Sequence, residues 1–239
     1  MAAAVAIAAF AGVLRGFTGF GLALAAVPAL TLILPPREVV PCVLLLQVVA
    51  GLQLVPSTRH VVDWVALVPI LAGAVVATPI GTAVLAEVPS DPMRMAIGVV
   101  LLVAVALLWR TPTFQTRPGL AVRLALGVVS GLLNGGTAMA GPPVIAYFLA
   151  ASDRVDVGRA SLLMYFFLLS VAGTAAAVFA GLITARTLVL GAMLLPAIVV
   201  GNGIGHRLFG RASAEAYRRV ALALLAAMAV VAIGRSLLG

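Results

Sequence analysis

The chain alternates long apolar stretches with short clusters of arginine, acidic residues and proline. These clusters separate eight apolar segments, at residues 1–34, 39–56, 61–86, 93–109, 119–151, 159–182, 187–209 and 219–236. A helix needs about 20 residues to cross the roughly 30 Å hydrocarbon core of a bilayer. Because a 34-residue helix would reach about 51 Å, segments 1–34 and 119–151 are too long for one crossing and too short for two.

Both long segments are interrupted by glycine and polar residues. The interruptions read RGFTGFG at 15–21 and SGLLNGGTAMAGPP at 130–143. In hydrocarbon, a helix break is tolerated only where it lines a cavity or is buried in protein. We therefore predict that both segments break near the bilayer midplane and leave helix ends around a cavity. Further breaks, acting as a gate or a packing kink, are predicted at 78–81 and 202–205, which read TPIG and NGIG.

The first half of the chain is repeated in the second. Sliding the sequence by 115 residues places GVLRGFTGFGLALAAVPAL over GVVSGLLNGGTAMAGPPVI and Arg15 over Ser130, and later positions align with a shift of 124. Self-similarity of this kind is the sequence signature of a repeat architecture. The prediction is an all-α polytopic membrane protein with two homologous membrane units, 1–116 and 117–239, each containing a broken segment and three transmembrane helices.

The distribution of arginine indicates how the broken segments sit in the membrane. If each long segment crosses once, the arginines between segments divide six against eight. If each enters and returns on its own side as a re-entrant hairpin, four (37, 94, 186 and 235) face ten. Because cytoplasmic loops are enriched in basic residues, the pattern favours hairpins, inverted repeats, both termini outside, and cytoplasmic loops around Arg117 and 207–219. The alternative is eight transmembrane helices in parallel repeats.

Composition supports the membrane assignment and excludes several functions. The chain is 64% hydrophobic and 9% charged, with a mean hydropathy of +1.24, whereas soluble domains carry about 25% charged residues. All 15 basic residues are arginines that flank apolar segments, apart from Arg15, so the expected partner is the lipid bilayer and not nucleic acid. One cysteine excludes an internal disulfide. No HExxH or GxSxG motif is present, and neither enzymatic activity, a metal nor a cofactor is expected.

The candidate binding site lies at the two interruptions. Arg15 is the only charge deep inside an apolar segment, and it either binds an anion or extends to the membrane interface. Gln47, at the centre of its segment, bonds a neighbouring helix or donates to substrate. Polar residues in the interruptions bind ligand or cap helices, and the glycines allow close approach of a ligand or of another helix. The predicted substrate-binding residues are Arg15, Gly16, Thr18, Gly19, Gly21, Gln47, Asn134, Gly135, Gly136 and Thr137.

All seven carboxylates fall in or beside the predicted loops. Intramembrane acids are the usual proton relays of transporters, and none is available here, although Na⁺ could still use backbone carbonyls at a break. An anion leaving a negatively charged cytoplasm gains about 2.3 kcal/mol per charge and 100 mV. Uncoupled or weakly coupled export is therefore physically sufficient.

The sequence resembles the sulfite exporter TauE/SafE family of bacterial membrane proteins. The resemblance lies in GFTGFGLALAAVPAL, in its second-half counterpart GLLNGGTAMAGPPV, and in a length of 239 residues with two modules. It implies transport of a small anion, such as sulfite or sulfoacetate, across the cytoplasmic membrane. Together with the paired breaks and the membrane potential, the prediction is export by alternating access at a midplane site between the repeats. Arg15 and Thr18 depart from the more glycine-rich first motif of the family. An anion channel, a non-transporting assembly subunit and a homo-oligomeric state stay open as alternatives.

Overall fold

The structure is a computed structural model that describes residues 2–109, 118–151, 154–213 and 215. Within these residues all regular structure is helical, and a short 3-10 turn follows the third helix. The predicted segment 219–236 and the loop around Arg117 lie outside the described residues. The α-helices are α1 (Ala2–Thr18), α2 (Leu22–Leu30), α3 (Pro36–Thr58), α4 (Trp64–Glu87), α5 (Ser90–Trp109), α6 (Leu120–Thr137), α7 (Gly141–Ala151), α8 (Val155–Phe179) and α9 (Ala185–Phe209).

Five helices are long and apolar enough to cross a bilayer, namely α3, α4, α6, α8 and α9, and α1 is a shorter apolar helix. Their outward faces carry large apolar side chains, including Val65, Val76 and Phe179. Surfaces of this kind suit lipid tails and not water. The chain is an integral, multi-pass membrane protein.

Both long apolar segments are broken, as the sequence predicts, but the breaks are short. The first break spans only 19–21, where Gly19 and Gly21 have φ angles of 85° and 99°. The second spans 138–140, where Ala138 has a φ of 56°. This left-handed backbone ends a helix and favours glycine. Arg15 and Asn134, predicted to lie within interruptions, therefore lie in the last turns of α1 and α6.

The further breaks predicted at 78–81 and 202–205 are wrong, because α4 and α9 continue through both stretches. Glycine here serves close packing of helices. A Cβ on Gly81 would lie 2.9 Å from the amide nitrogen of Gly136, and one on Gly205 would lie 2.7 Å from that of Phe17. Small residues at such interfaces are a general means of joining membrane helices.

Two pairs of helices pack backbone to backbone through these glycines. Helix α1 lies along α9, with Gly12 against Ile198 and Gly16 against Asn202. Contacts on both helices advance in the same chain direction, so α1 and α9 are parallel. Helix α4 lies along α6 in the same way, with residues 70, 74 and 78 following 127, 131 and 135. Each pair joins one helix from each half of the chain.

Helices α3 and α8 pack against each other between these pairs. Leu44 contacts Gly173, and Gly51 contacts Phe167, so the two helices are antiparallel. Their central residues, Gln47 and Phe166, lie beside the breaks. This arrangement brings the midpoints of two long helices together with both sets of broken ends.

Contacts between helix ends define two sides of the molecule. On one, the start of α4 meets the start of α8 through the Asp63 amide and Ser161 Oγ (3.0 Å), and Arg123 of α6 donates to the Val65 carbonyl (2.7 Å). We call this the Arg123 side. On the other, Arg186 of α9 pairs with Glu38 of α3 (3.1 Å). This is the Arg186 side.

Candidate functional site

The two breaks face each other across one small pocket. Its volume is about 220 Å³, including space that is open to solvent, and its enclosed part is about the size of one water molecule. The lining comes from both breaks and from the centres of α3 and α8, and comprises Phe20, Gly21, Ala23, Leu24, Gln47, Ala138, Met139, Ala140, Gly141 and Phe166. Most of these side chains are buried. It can hold a small group of atoms at the centre of the molecule.

Arg15 lies directly behind this pocket. Its side chain is 0% exposed. Its Nη1 donates to Gln47 Oε1 (3.2 Å) and its Nη2 donates to the Gln47 carbonyl oxygen (3.3 Å). Arg15 therefore does not extend to an interface, and it reaches the pocket through Gln47.

Two hydrogen-bond donors at this pair have no partner. Arg15 Nε and Gln47 Nε2 are both buried and unbonded. The bond that Oε1 accepts from Arg15 fixes which end of the Gln47 amide carries the free N–H groups. No carboxylate among the described residues pairs with Arg15. The site thus combines a buried positive charge with unused donors, an arrangement that favours an anion.

Two predicted site residues act as caps. The Thr18 hydroxyl donates to the carbonyls of Leu14 and Phe20, at 2.7 and 2.6 Å. The Thr137 hydroxyl donates to the Leu133 carbonyl (2.7 Å) and accepts from the Met139 amide (3.2 Å). These bonds shape the chain where it leaves α1 and α6. Neither hydroxyl lines the pocket.

The helices that start at the breaks differ in the donors they offer. Helix α2 begins after Gly21, which has no side chain to cap the first amides. Two of those amides, of Ala23 and Leu24, belong to residues that line the pocket. Helix α7 begins Gly-Pro-Pro, and proline has no N–H. The first break is therefore the better provider of backbone donors to an anion.

Most of the predicted glycines have packing roles. Gly16 contacts the backbone of α9, and Gly135 contacts that of α4. Gly136 lies near Gly81, and Gly19 contacts Arg159. Asn134, also predicted, donates from Nδ2 to the Leu169 carbonyl in α8 (3.2 Å). Among the ten predicted residues, Gly21 and Gln47 line the pocket and Arg15 contacts one of them.

A hydroxyl pair supports the second break. Ser130 Oγ donates to the Ala140 carbonyl and lies 2.6 Å from the Tyr165 hydroxyl. All three residues are buried. The pair ties α6 and α8 to a backbone group that lines the pocket.

Arg159, in the first turns of α8, was not predicted as a site residue because it stands at the edge of an apolar segment. The structure buries it to 3% exposure. Its Nε donates to the Phe17 carbonyl (2.9 Å), and its Nη2 donates to the Gly16 carbonyl and lies 3.3 Å from His206 Nδ1. Its guanidinium also lies 3.9 Å from the Phe209 ring centre. Arg159 therefore caps the end of α1 at the first break.

Asn202, predicted at a gate or kink, instead joins two helices. Its Nδ2 donates to the Ala50 carbonyl (3.0 Å) and to Gln53 Oε1 (2.9 Å). Carboxylates in the described residues lie at helix ends, as predicted, for example Asp63 at the N-cap of α4 and Asp91 in the first turn of α5. Within the same residues, no three His, Cys, Asp or Glu side chains form a group that could hold a metal.

Comparison with known proteins gives one match. The family model described as sulfite exporter TauE/SafE matches residues 4–232. No curated protein and no solved structure matches the chain.

Proposed function

Because the chain belongs to the sulfite exporter TauE/SafE family, we propose that it transports a small anion, a sulfur oxyanion or organosulfonate such as sulfite or sulfoacetate. The proposed process is export across a bacterial cytoplasmic membrane by alternating access. The observation that carries this proposal is Arg15, a fully buried arginine that bonds the pocket-lining Gln47 and has no carboxylate partner among the described residues.

The energetics of Arg15 support an anion at the pocket. An arginine at the centre of a membrane helix costs about 2.5–3.5 kcal/mol even on insertion scales. Gln47 offsets part of this cost with two long hydrogen bonds to a neutral amide. A bound anion would pair the buried charge and accept hydrogen bonds in which both partners are ionised. Gln47 Nε2 and the first amides of α2 would complete its shell.

The buried lining of the pocket supports a carrier and not a wide channel. Phe20, Leu24, Gln47 and Phe166 line it and are each at most 6% exposed.

We further propose that the two halves are inverted repeats, each with a re-entrant hairpin. The packing of α1 on α9 and of α4 on α6 supports an exchange of equivalent helices between halves. Helix α2 ends on the Arg186 side, where Arg94 at the start of α5 donates to the Thr31 carbonyl (2.8 Å). Helix α3 begins on that same side, at Glu38. These contacts are consistent with a first segment, α1 and α2, that enters from the Arg186 side and returns to it.

Glycine contacts support a repeat register in which each residue of α1 corresponds to the residue of α6 that lies 119 positions later. The sequence match at the breaks has a shift of 115 residues, four fewer. Gly16 meets the backbone of Asn202, and Gly135 meets that of Thr78. In this register Arg15 corresponds to Asn134 and not to Ser130. Both side chains then donate to a carbonyl of the long helix in their own half of the chain, Arg15 to α3 and Asn134 to α8.

The Arg123 side is proposed to face the cytoplasm. Among the described residues it carries Arg59, Arg123, Arg154, Arg159, Arg207 and Arg211, whereas the Arg186 side carries Arg37, Arg94 and Arg186. Cytoplasmic loops have the excess of arginine. An anion exported from this side moves down the membrane potential, which contributes about 2.3 kcal/mol per charge and 100 mV. Export then needs no coupled proton or cation.

The test is anion affinity of the purified protein in detergent, with sulfite as the probe. Arg15→Gln keeps some donors and removes the charge, so sulfite should bind roughly 10- to 150-fold more weakly. Arg15→Lys should recover only part of the loss, because an ammonium cannot bind two oxygens in a fork. Arg37→Gln removes an exposed arginine and serves as the control.

Folding of each variant is checked separately by thermal unfolding without ligand. Equal sulfite affinity of wild type, Arg15→Gln and Arg15→Lys would make Arg15 a structural residue. The proposal that the pocket binds an anion through this charge would then be wrong.

A further inference from the structure

Two buried arginines lie near the breaks, but their donors are used differently. Arg159 directs its guanidinium to the last carbonyls of α1, to His206 and to the Phe209 ring. Arg15 has only Gln47, and its Nε is unbonded. Arg159 is therefore committed to a helix end, whereas Arg15 is available to a ligand.

The helix ends themselves add little net charge. Each break joins the C-terminal end of one helix to the N-terminal end of the next. These ends carry about −0.5 and +0.5 charge, so they offset each other within a break. In addition, α7 starts with two prolines, which have no N–H to offer. Arg159 also carries a positive charge, but its bonds go to the end of α1 and to His206, none of which lines the pocket, so the charge bonded to the pocket lining is the single positive charge of Arg15.

We propose that this pocket selects its ligand by charge, and that it takes a monoanion with a compact sulfur–oxygen head in preference to a dianion or a neutral molecule of the same shape. The inference rests on the proposed function and adds the charge class of the substrate. A monoanion beside Arg15 gives a neutral buried pair. A dianion leaves one uncompensated negative charge, and a neutral ligand leaves the charge of Arg15 unpaired. An unpaired charge of either sign costs free energy in a low-dielectric interior. For sulfite, the transported form is then hydrogensulfite.

The experiment uses three tetrahedral sulfur compounds that differ mainly in charge. Dimethyl sulfone is neutral, methanesulfonate carries one negative charge and sulfate carries two, and none changes its charge near neutral pH. Titration calorimetry at constant ionic strength measures their affinities for the full-length protein. Calorimetry is preferred to thermal shift because sulfate stabilises proteins nonspecifically by exclusion from their surface.

Methanesulfonate should bind at least about tenfold more tightly than either sulfate or dimethyl sulfone, given the cost of an uncompensated buried charge. Arg15→Gln should abolish the preference of methanesulfonate over dimethyl sulfone. Arg37→Gln, at an exposed position, should leave the order of affinities unchanged.

Sulfate binding as tightly as methanesulfonate, and losing affinity in Arg15→Gln, would overturn the charge inference while leaving the anion site intact. A lack of binding by sulfite and by the whole series would overturn the proposed function as well. The two failures are therefore distinguishable.

Discussion

Gly16 offers a direct test of how the halves of the molecule are held together. It lies in the last turn of α1, where the α9 backbone approaches closely. In Gly16→Ala the new Cβ would lie 2.9 Å from the His206 amide nitrogen and nearer still to the Asn202 carbonyl. Both neighbours are backbone atoms of a helix, so they cannot rotate away as a side chain could.

The expected cost follows from this geometry. Helix α1 must move away from α9 by roughly 1 Å, which forfeits up to about half of the dispersion energy of the affected contacts. Overpacking of this kind costs about 1–3 kcal/mol, and rigid backbone neighbours place Gly16→Ala at the upper end. For a protein of this size, about 2–3 kcal/mol lowers the unfolding temperature by roughly 4–12 °C.

The assay is thermal unfolding in detergent, and Gly98→Ala is the matched control. Gly98 lies within α5, and a Cβ there meets nothing within 4 Å. Alanine is the better helix former by up to about 1 kcal/mol, so the control should unfold at or slightly above the wild-type temperature. Equal unfolding temperatures for Gly16→Ala and Gly98→Ala would refute the close backbone contact between α1 and α9.

Three other measurements test separate parts of the structure. Arg159→Ala should unfold several degrees below wild type, and the unfolding temperature of Arg159→Lys should lie between the two. The reason is that losing the bonds from Arg159 to the carbonyls of α1 costs about 1–3 kcal/mol of stability for each carbonyl left unbonded. In intact cells an impermeant thiol reagent should label Ala185→Cys from outside and not Ser213→Cys, and the reverse pattern would invert the proposed topology. Single amide replacements of each carboxylate should leave transport largely intact, and a folded variant without transport would reveal a coupled proton or cation.

The breaks could be predicted because their composition conflicts with a continuous helix in lipid. The length of segments 1–34 and 119–151 required an interruption, and the glycines and polar residues located it. The helix ends could not be predicted to the residue, since Gly16 and Gly135 read as helix breakers but lie inside helices and pack on other helices. The same ambiguity produced the wrong breaks at 202–205 and 78–81. Glycine in a membrane segment can either break a helix or let another helix pack closely, and only the packing partner distinguishes these two roles.

The site was only partly predictable. Arg15 and Gln47 stood out because each is polar within an apolar stretch, yet their contact joins residues 32 apart in sequence and depends on how α1 meets α3. Arg159 gave no such signal, because an arginine at the end of an apolar segment is ordinarily a flanking residue. Phe166 looked like any lipid-facing aromatic. Its place in the pocket follows from the antiparallel packing of α3 and α8.

The glycine contacts between α1 and α9 also constrain the order in which the chain can assemble during synthesis. Helix α1 leaves the ribosome well before its partner residues Ile198 and Asn202. At about 5–20 residues per second, synthesis of the intervening chain takes roughly 10–40 s. Throughout that time α1, with Arg15 and its glycine face, lacks the helix α9 on which it packs in the folded protein. The contact between α1 and α9 can therefore form only after most of the chain has been made, whereas Gln47, which bonds Arg15, is made much earlier.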